Sequence, residues 1–299
     1  MRTVDCPGVG AVSALGFGCA SLGSRISEKA GRAAIDAALE RGITWFDVAP
    51  SYGDGKAEQI LGQALKGTNA HIVTKAGLVA GRRNPVKAAI GAAARPIVAA
   101  IPALRPLIKK IRPDNAQRLP LDAETLRVSL LQSLERLGRS DLAVFALHDP
   151  SLDDVRNEAV IRALDDIKAE GLAARIAIAG APDIFAAAQA AGLPADTLQT
   201  ANSPFVKGIA AAPAGTFTVT HSVFGVAGAL DKLKRLPEPT LRAAGFPTAA
   251  DALLTYAFAA NPNGVVLASA YAPGHLTKNA EAATTPPDPS AIKRLESLL

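Results

Sequence analysis

The sequence predicts an α/β fold, a single closed (β/α)8 TIM barrel over residues 1–299 with a long insertion after the third strand. Eight apolar runs of β type are separated by helical patterns. The runs lie at 13–18, 43–48, 71–75, 141–148, 175–180, 197–202, 216–222 and 264–270. Regular alternation of strands and helices indicates a parallel sheet covered by helices, and the length suits a barrel that folds as one domain. A doubly wound open sheet is the alternative.

The helices between these runs are predicted from apolar residues spaced three and four apart, which form one face of a helix. Such stripes run through 57–65, 126–137 and 160–167. Three helices are predicted to end at a glycine, which adopts the left-handed backbone conformation easily: Gly42, Gly138 and Gly171. Ser151 with Asp154 predicts a capping box that opens the helix after 141–148.

One interval interrupts the alternation. Residues 79–119 are rich in Ala and Pro and carry nine basic residues against one acid, Asp114. An insertion after a barrel strand rims the active-site face. Three interpretations stay open: a surface excursion with a solvated basic face, a lid over an apolar or anionic substrate, and a patch that makes peripheral contact with an acidic membrane or partner surface.

Composition and charge exclude several classes of protein. A net charge of +5 is too mild to indicate a nucleic-acid partner. Two cysteines, Cys6 and Cys19, form no disulfide framework and suit a reducing compartment. No apolar run approaches the ~18 residues of a membrane span, the N-terminus lacks a signal pattern, and no histidine has metal-ligand spacing. We therefore expect a cytoplasmic protein without an integral membrane segment or a metal.

Four titratable residues follow apolar runs: Asp47, Tyr52, Lys75 and His148. The runs read ITWFDVAPSYG (43–53), HIVTKAG (71–77) and LAVFALHDP (142–150). Barrels place catalytic groups at the carboxyl ends of their strands. Each residue alone has an ordinary structural interpretation, but a carboxylate, a phenol, an ammonium and an imidazole together form a proton-transfer set.

These stretches resemble the aldo-keto reductase superfamily. The matching residues are Phe46, Asp47, Ala49, Tyr52, Gly53, Glu58, Leu61, Gly62, Lys75 and His148, and SALGFGCASLG (13–23) resembles the family's first strand and glycine turn. The resemblance covers nearly the whole chain and weakens after about residue 175. It implies a nicotinamide cofactor and a small-molecule carbonyl or alcohol substrate, with Tyr52 as the proton donor.

In the chemistry that the resemblance implies, Lys75 lowers the pKa of the Tyr52 phenol and so eases proton exchange. Asp47 pairs with Lys75 and holds it in place. His148 hydrogen-bonds the substrate oxygen and stabilises its developing negative charge. We therefore expect Asp47, Tyr52, Lys75 and His148 to be catalytic.

The resemblance also implies a set of cofactor-binding residues: Gly18, Gln199, His221, Ser222, Phe224, Ser269, Tyr271, His275 and Asn279. The chain departs from the family pattern in three places, one of which is His221, where the family has a ring-stacking Tyr. Gly180 and Ala181 stand where the family has a Ser-Asn pair, and His275 stands where it has an Arg. The resemblance implies NADPH, and because His binds a 2′-phosphate less well than Arg does, NADH stays open as an alternative.

Two other functions stay open. A barrel that kept the four residues could bind a ligand or partner without turnover, as the altered cofactor positions suggest. The same residues, working in reverse, could oxidise a sugar or other polyol with NAD.

Overall fold

The computed structural model describes residues 1–81 and 116–299. Its strands are β1 (Thr3–Cys6), β2 (Gly10–Ser13), β3 (Leu15–Gly18), β4 (Trp45–Asp47), β5 (His71–Ala76), β6 (Leu78–Ala80), β7 (Ala116–Arg118), β8 (Leu142–His148), β9 (Ala173–Ala179), β10 (Ala195–Ser203), β11 (Val206–Lys207), β12 (Phe217–His221) and β13 (Val265–Ala268).

Eight of these strands pair in parallel around a closed ring. Strand β3 pairs with β4, β4 with β5, β5 with β8 and β8 with β9. The ring continues from β9 to β10, β12 and β13, and β13 returns to β3. Each of the eight predicted runs contributes one of these strands, so the predicted (β/α)8 barrel is confirmed and the open sheet is excluded.

The helices lie between successive barrel strands or follow the last one. They are α1 (Glu28–Glu40), α2 (Ala57–Ala64), α3 (Ala123–Leu137), α4 (Leu152–Arg156), α5 (Glu158–Ala169), α6 (Pro182–Ala190), α7 (Ala229–Leu233), α8 (Glu238–Ala243), α9 (Ala249–Ala260), α10 (Pro273–Thr284) and α11 (Ser290–Glu296). The three glycines predicted to follow helices all have positive φ. The capping box of Ser151 and Asp154 opens α4 as predicted.

Close packing of α2 on α3 explains one glycine of the motif. A Cβ on Gly62 would lie 2.6 Å from the carbonyl oxygen of Leu137, the last residue of α3. Any larger side chain would therefore push the two helices apart. The stripes of α2 and α3 bury Ile60, Leu61 and Leu130 in the layer between helices and barrel, where apolar burial stabilises the fold by roughly 25 cal/mol per Å² removed from water.

Three hairpins were not predicted, and in one of them the short strand β11 pairs antiparallel with the end of β10. Strands β1 and β2 pair before the barrel begins, and the Arg175 guanidinium donates to the Pro7 carbonyl oxygen in the turn between them (2.6 Å). The amide of Ser13 donates to Thr44 Oγ1 (3.0 Å), just before β4. This hairpin therefore lies at the amino-terminal end of the barrel strands, away from the four candidate catalytic residues.

The β6–β7 hairpin contains the two ends of the predicted insertion. Strand β6, directly after β5, pairs antiparallel with β7. The Arg118 guanidinium donates to the carbonyl oxygen of Asp149 (2.7 Å), one residue beyond β8. Both ends thus lie on the carboxyl side of the barrel. Residues 82–115 are outside the described residues, so the role of the whole 79–119 insertion stays a prediction. In the described ranges, no helix is long and apolar enough to cross a membrane.

Candidate active site

The centre of the site is a buried ion pair between neighbouring strands. Lys75, near the end of β5, is 1% exposed, and Asp47, the last residue of β4, is 3% exposed. Lys75 Nζ lies 2.7 Å from each carboxylate oxygen of Asp47 and donates to the Val48 carbonyl oxygen at 3.0 Å. Burial alone would lower the pKa of Lys75, but the charge and hydrogen bonds of Asp47 and the contact with Tyr52 raise it above its usual value. The side chain is therefore an ammonium at neutral pH.

Tyr52 lies beside this pair in the turn after β4. Its amide donates to the Ala49 carbonyl oxygen (3.0 Å), and Lys75 Nζ lies 5.0 Å from the ring centroid. Burial raises the pKa of the Tyr52 phenol, and this effect outweighs the lowering by the charge and hydrogen bond of Lys75. Lys75 thus acts in the expected direction, but the phenol stays protonated at neutral pH and is available as a proton donor.

Steric crowding explains why a glycine follows Tyr52. Gly53 adopts φ +61°, and a Cβ there would lie 1.8 Å from the Leu22 carbonyl oxygen. No other residue fits this turn without displacing the backbone at Leu22. The Tyr-Gly pair of the motif therefore fixes the turn that carries the phenol.

His148 ends β8 and also contacts Tyr52. The two rings meet edge to face, with centroids 6.1 Å apart. Burial lowers the pKa of His148 to about 3, and the positive charges of Lys75 and Arg118 and the neighbouring His221 add to the effect. Its Nδ1 atom is buried without a hydrogen-bond partner among the described residues. A neutral imidazole with a free nitrogen is suited to hydrogen-bonding a substrate oxygen.

Glu58, another residue of the matched motif, stabilises the strand that carries Lys75. Glu58, in the first turn of α2, is 1% exposed. It accepts a hydrogen bond from Thr74 Oγ1 (2.6 Å) and another from Arg136 Nε (2.6 Å). Because Thr74 precedes Lys75 in β5, Glu58 fixes this strand against α2 and α3.

Gln199 links the predicted cofactor site to the ion pair. Its Nε2 donates to Asp47 Oδ2 (2.9 Å), and its Oε1 is buried without a partner in the described part of the chain. A buried acceptor of this kind is costly unless a ligand donates to it. At the end of the adjacent strand β12, His221 Nδ1 lies 2.8 Å from Ser222 Oγ, and Ser222 has φ +61°. Gln199, His221 and Ser222 therefore border the catalytic group.

Most of the remaining predicted cofactor-binding residues lie at a cavity of about 570 Å³. Four predicted residues line it: Phe224, Ser269, His275 and Asn279. Ser269 Oγ donates to the Gly18 carbonyl oxygen (2.8 Å), and so does the Tyr271 hydroxyl (3.3 Å). Gly18 and Tyr271 therefore lie behind Ser269 and are not among the residues that line the cavity.

The cavity also contains charged residues that the sequence analysis missed. Lys234 and Lys278 line it together with Glu238 and Asp251. Lys278 directly precedes Asn279, so its position in the matched segment was an available signal. Lys234 lies in a segment without any motif, and nothing in the sequence indicated its place.

The described residues contain no group of three or more His, Cys, Asp and Glu side chains that could hold a metal ion. Cys6 and Cys19 are buried free thiols. The candidate site thus consists of a cluster of four titratable residues at the barrel end and a cavity beside α10, without a candidate metal centre among the described residues.

Comparison with known proteins identifies a matching family and several relatives. The Aldo/keto reductase family model matches residues 14–227. The chain is 30% identical over 184 residues to D-threo-aldose 1-dehydrogenase of a Pseudomonas species, covering 56% of this chain and 50% of that protein. It is 30% identical over 186 residues to L-galactose dehydrogenase of Arabidopsis thaliana, covering 58% and 47%. The chain thus spans about half the length of these curated relatives.

Solved structures show the same fold. The holo form of the aldo-keto reductase AKR11C1 from Bacillus halodurans aligns with a TM-score of 0.72 and 21% identity, over 99% of this chain and 95% of that one. An aldo-keto reductase from Klebsiella pneumoniae in complex with NADPH aligns with a TM-score of 0.71 and 21% identity, over 99% and 94%. By the family match over most of its length, the chain belongs to the aldo/keto reductase family.

Proposed function

We propose that the protein is a nicotinamide-dependent oxidoreductase that interconverts an aldehyde or ketone with its alcohol. The observation that carries this proposal is the convergence of a protonated phenol, a buried ammonium and a neutral imidazole at one end of the barrel. Tyr52 contacts both other residues: Lys75 Nζ lies 5.0 Å from the centroid of its ring, and the His148 ring centroid lies 6.1 Å from it. These are the groups that carbonyl reduction needs from a protein besides a hydride donor.

Each residue has a distinct role in the reduction. The Tyr52 hydroxyl donates its proton to the substrate oxygen as negative charge develops there. The ammonium of Lys75 then stabilises the phenolate, and Asp47 keeps Lys75 charged and fixed. His148 donates a hydrogen bond that orients the substrate oxygen. In alcohol oxidation the same phenolate removes the hydroxyl proton.

A nicotinamide cofactor fits the polar atoms that lack partners. When bound, it would supply or accept the hydride. The free Oε1 of Gln199 would accept from the carboxamide, and His221 and Ser222 would contact the nicotinamide and pyrophosphate. Phe224, Ser269, His275 and Asn279 would border the adenosine, with Gly18 and Tyr271 behind Ser269. NADPH is the proposed cofactor, with NADH as the alternative.

Oxidation of an aldose with NAD is a second candidate. The two curated relatives described above are named for dehydrogenation of aldoses. An aldose brings a hydroxyl that can lose a proton to Tyr52, so the same residues would serve this reaction.

The test is turnover in both directions by the purified protein. Aldehydes and ketones are offered with NADPH or NADH, and aldoses with the oxidised cofactors, while the absorbance of the reduced nicotinamide is followed. We expect turnover in at least one direction and its loss in Tyr52→Phe. Absence of turnover in both directions, together with absence of cofactor binding, would contradict the proposal and favour a barrel that binds another ligand.

A further inference from the structure

We propose that Arg118 is a positioning residue for His148: it fixes the backbone directly after the imidazole and so holds the imidazole in place against the substrate oxygen. The proposal rests on the proposed function and deepens it, because Arg118 lies outside the four residues that the proposed reaction uses. Arg118 is the last residue of β7, the strand that follows the predicted insertion.

His148 lies where the pairing of its strand with β5 stops. The β5–β8 ladder ends with Ala76 opposite Leu147, one residue before His148, whereas the β8–β9 ladder continues to His148 opposite Ala179. On the β5 side the chain turns away at Gly77, which has φ +110°. Sheet pairing therefore holds His148 on its β9 side, and other contacts must hold it on its β5 side.

Arg118 contacts the chain on this β5 side. Its Nη1 donates to the Asp149 carbonyl oxygen (2.7 Å), and its Nη2 donates to Asp149 Oδ2 (3.2 Å). Arg118 is itself joined to the end of β5, because it pairs with Leu78 in β6, the strand that follows β5 directly. The guanidinium therefore bridges the carboxyl ends of β5 and β8.

The backbone that Arg118 holds has an uncommon conformation. Asp149 has φ +55°, in the left-handed region that residues with a side chain adopt only at a cost. Such a residue persists where the surrounding contacts determine it. Two charge-assisted hydrogen bonds from one guanidinium to one residue are contacts of this kind. Without them, Asp149 can relax toward an ordinary conformation and displace His148, the residue before it.

The electrostatic surroundings of His148 include the same guanidinium. The groups that face His148 are Lys75 on β5, the Tyr52 ring after β4, His221 on β12 and Arg118 on β7. Burial is the main cause of the lowered pKa of His148, and the charges of Lys75, His221 and Arg118 lower it further. Arg118 therefore favours the neutral imidazole as well as its position.

The experiment compares the reduction of one carbonyl substrate by Arg118→Met and by Arg127→Met, the matched control. The Arg127 side chain is about as exposed as that of Arg118 (47% against 50%) and also pairs with a carboxylate, but its partner Glu170 follows α5 rather than β8. Arg118→Met should lower kcat by about tenfold and change KM by less than about twofold, because a displaced imidazole stabilises the developing charge less well. Arg127→Met should stay within about twofold in both constants.

A second background separates positioning from general support of the fold. In His148→Gln, adding Arg118→Met should cost no more than about twofold in kcat, because the residue on which Arg118 acts is gone. Arg118→Lys should have an intermediate kcat, because an ammonium keeps the charge but lacks the fork of two donors. A tenfold loss that persists in the His148→Gln background would overturn the proposal, and so would an unchanged kcat in Arg118→Met.

A readout without turnover keeps this inference distinct from the proposed function. The Cε1–H resonance of His148 is identified by NMR through its disappearance in His148→Gln. Because the imidazole lies against the Tyr52 ring, the chemical shift of this resonance depends on the position of the imidazole. It should move in Arg118→Met and stay in place in Arg127→Met. A moved resonance in a protein without turnover would support the positioning role and overturn the proposed function alone. A resonance that stays in place in Arg118→Met would overturn the positioning role, whatever the turnover.

Discussion

The two halves of the candidate site differ in how far their charged groups are buried and paired. At the barrel end, Lys75, Asp47 and Gln199 are almost fully buried and bond to one another. In the cavity beside α10, Lys234 and Lys278 are exposed and make no such contacts within the described residues. The half with the candidate catalytic residues is therefore part of the folded core, whereas the charged groups of the cavity half face solvent.

This difference has an energetic consequence. Changes in the buried network remove interactions on which folding depends, because a charge left alone in the interior is costly. Changes in the cavity remove groups that face solvent, which seldom affects stability. The two halves can therefore be distinguished by measuring unfolding and ligand binding for the same set of variants.

The largest effect is expected for Lys75→Met. The variant leaves the Asp47 carboxylate buried without its cation, which should lower the free energy of unfolding by about 3–5 kcal/mol and abolish turnover. Denaturant unfolding and initial rates measure the two effects. Adding Asp47→Asn should restore part of the stability but no activity. Strictly additive effects on stability would contradict direct pairing.

Glu58→Gln should have the next largest effect. It keeps the shape of the side chain but weakens the charged hydrogen bonds with Thr74 and Arg136, which should cost roughly 1.5–3 kcal/mol of unfolding free energy. The measurement is denaturant unfolding. Glu135→Gln is the control, because Glu135 is exposed on α3, the helix that carries Arg136. Equal stability of the two variants would show that Glu58 does not support the strand.

The third prediction concerns pH. His148 has a pKa of about 3 in the folded protein, against an ordinary value of 6.5. As the pH falls from about 6.5 to about 3, His148 becomes protonated in the unfolded chain but stays neutral in the folded protein. The free energy of unfolding therefore decreases. His148→Gln should therefore flatten the decrease in unfolding free energy between about pH 6.5 and pH 3. An unchanged pH dependence would contradict the burial of a neutral imidazole.

The smallest effect on stability is expected in the cavity. Lys278→Gln should change the free energy of unfolding by no more than about 0.5 kcal/mol, because the side chain is exposed and forms no ion pair with the described residues. Thermal unfolding without cofactor measures this. A loss comparable to that of Glu58→Gln would mean that the cavity is part of the core, and the contrast between the two halves would fail.

Most of the fold could be predicted from sequence, because each barrel strand is an apolar run between clear helix signals. The β1–β2 and β6–β7 hairpins could not. Strands β1 and β7 mix polar and apolar residues, as in TVDC and AQR, so they lack the apolar run that marks the barrel strands. Their pairing depends on local turns and on contacts such as Arg175 with Pro7, which are distant in sequence.

The site was predictable to a different extent in its two halves. Asp47 and Lys75 end apolar runs, so their positions follow from the barrel. The contact of Gln199 with Asp47 joins residues 152 apart in sequence, and no local pattern reveals it. Lys234 reaches the cavity from a segment whose course only the folded structure defines. The net effect on the Tyr52 pKa likewise depends on burial, which the sequence does not give.

The most direct test of the account is the turnover of Tyr52→Phe on a carbonyl substrate that the unaltered protein reduces. The substitution removes one hydroxyl, so folding and NADPH affinity should remain close to those of the unaltered protein. Turnover should fall by about 10² to 10⁴, the range expected for the loss of a general acid. Turnover close to that of the unaltered protein would contradict the account, because another group would then supply the proton.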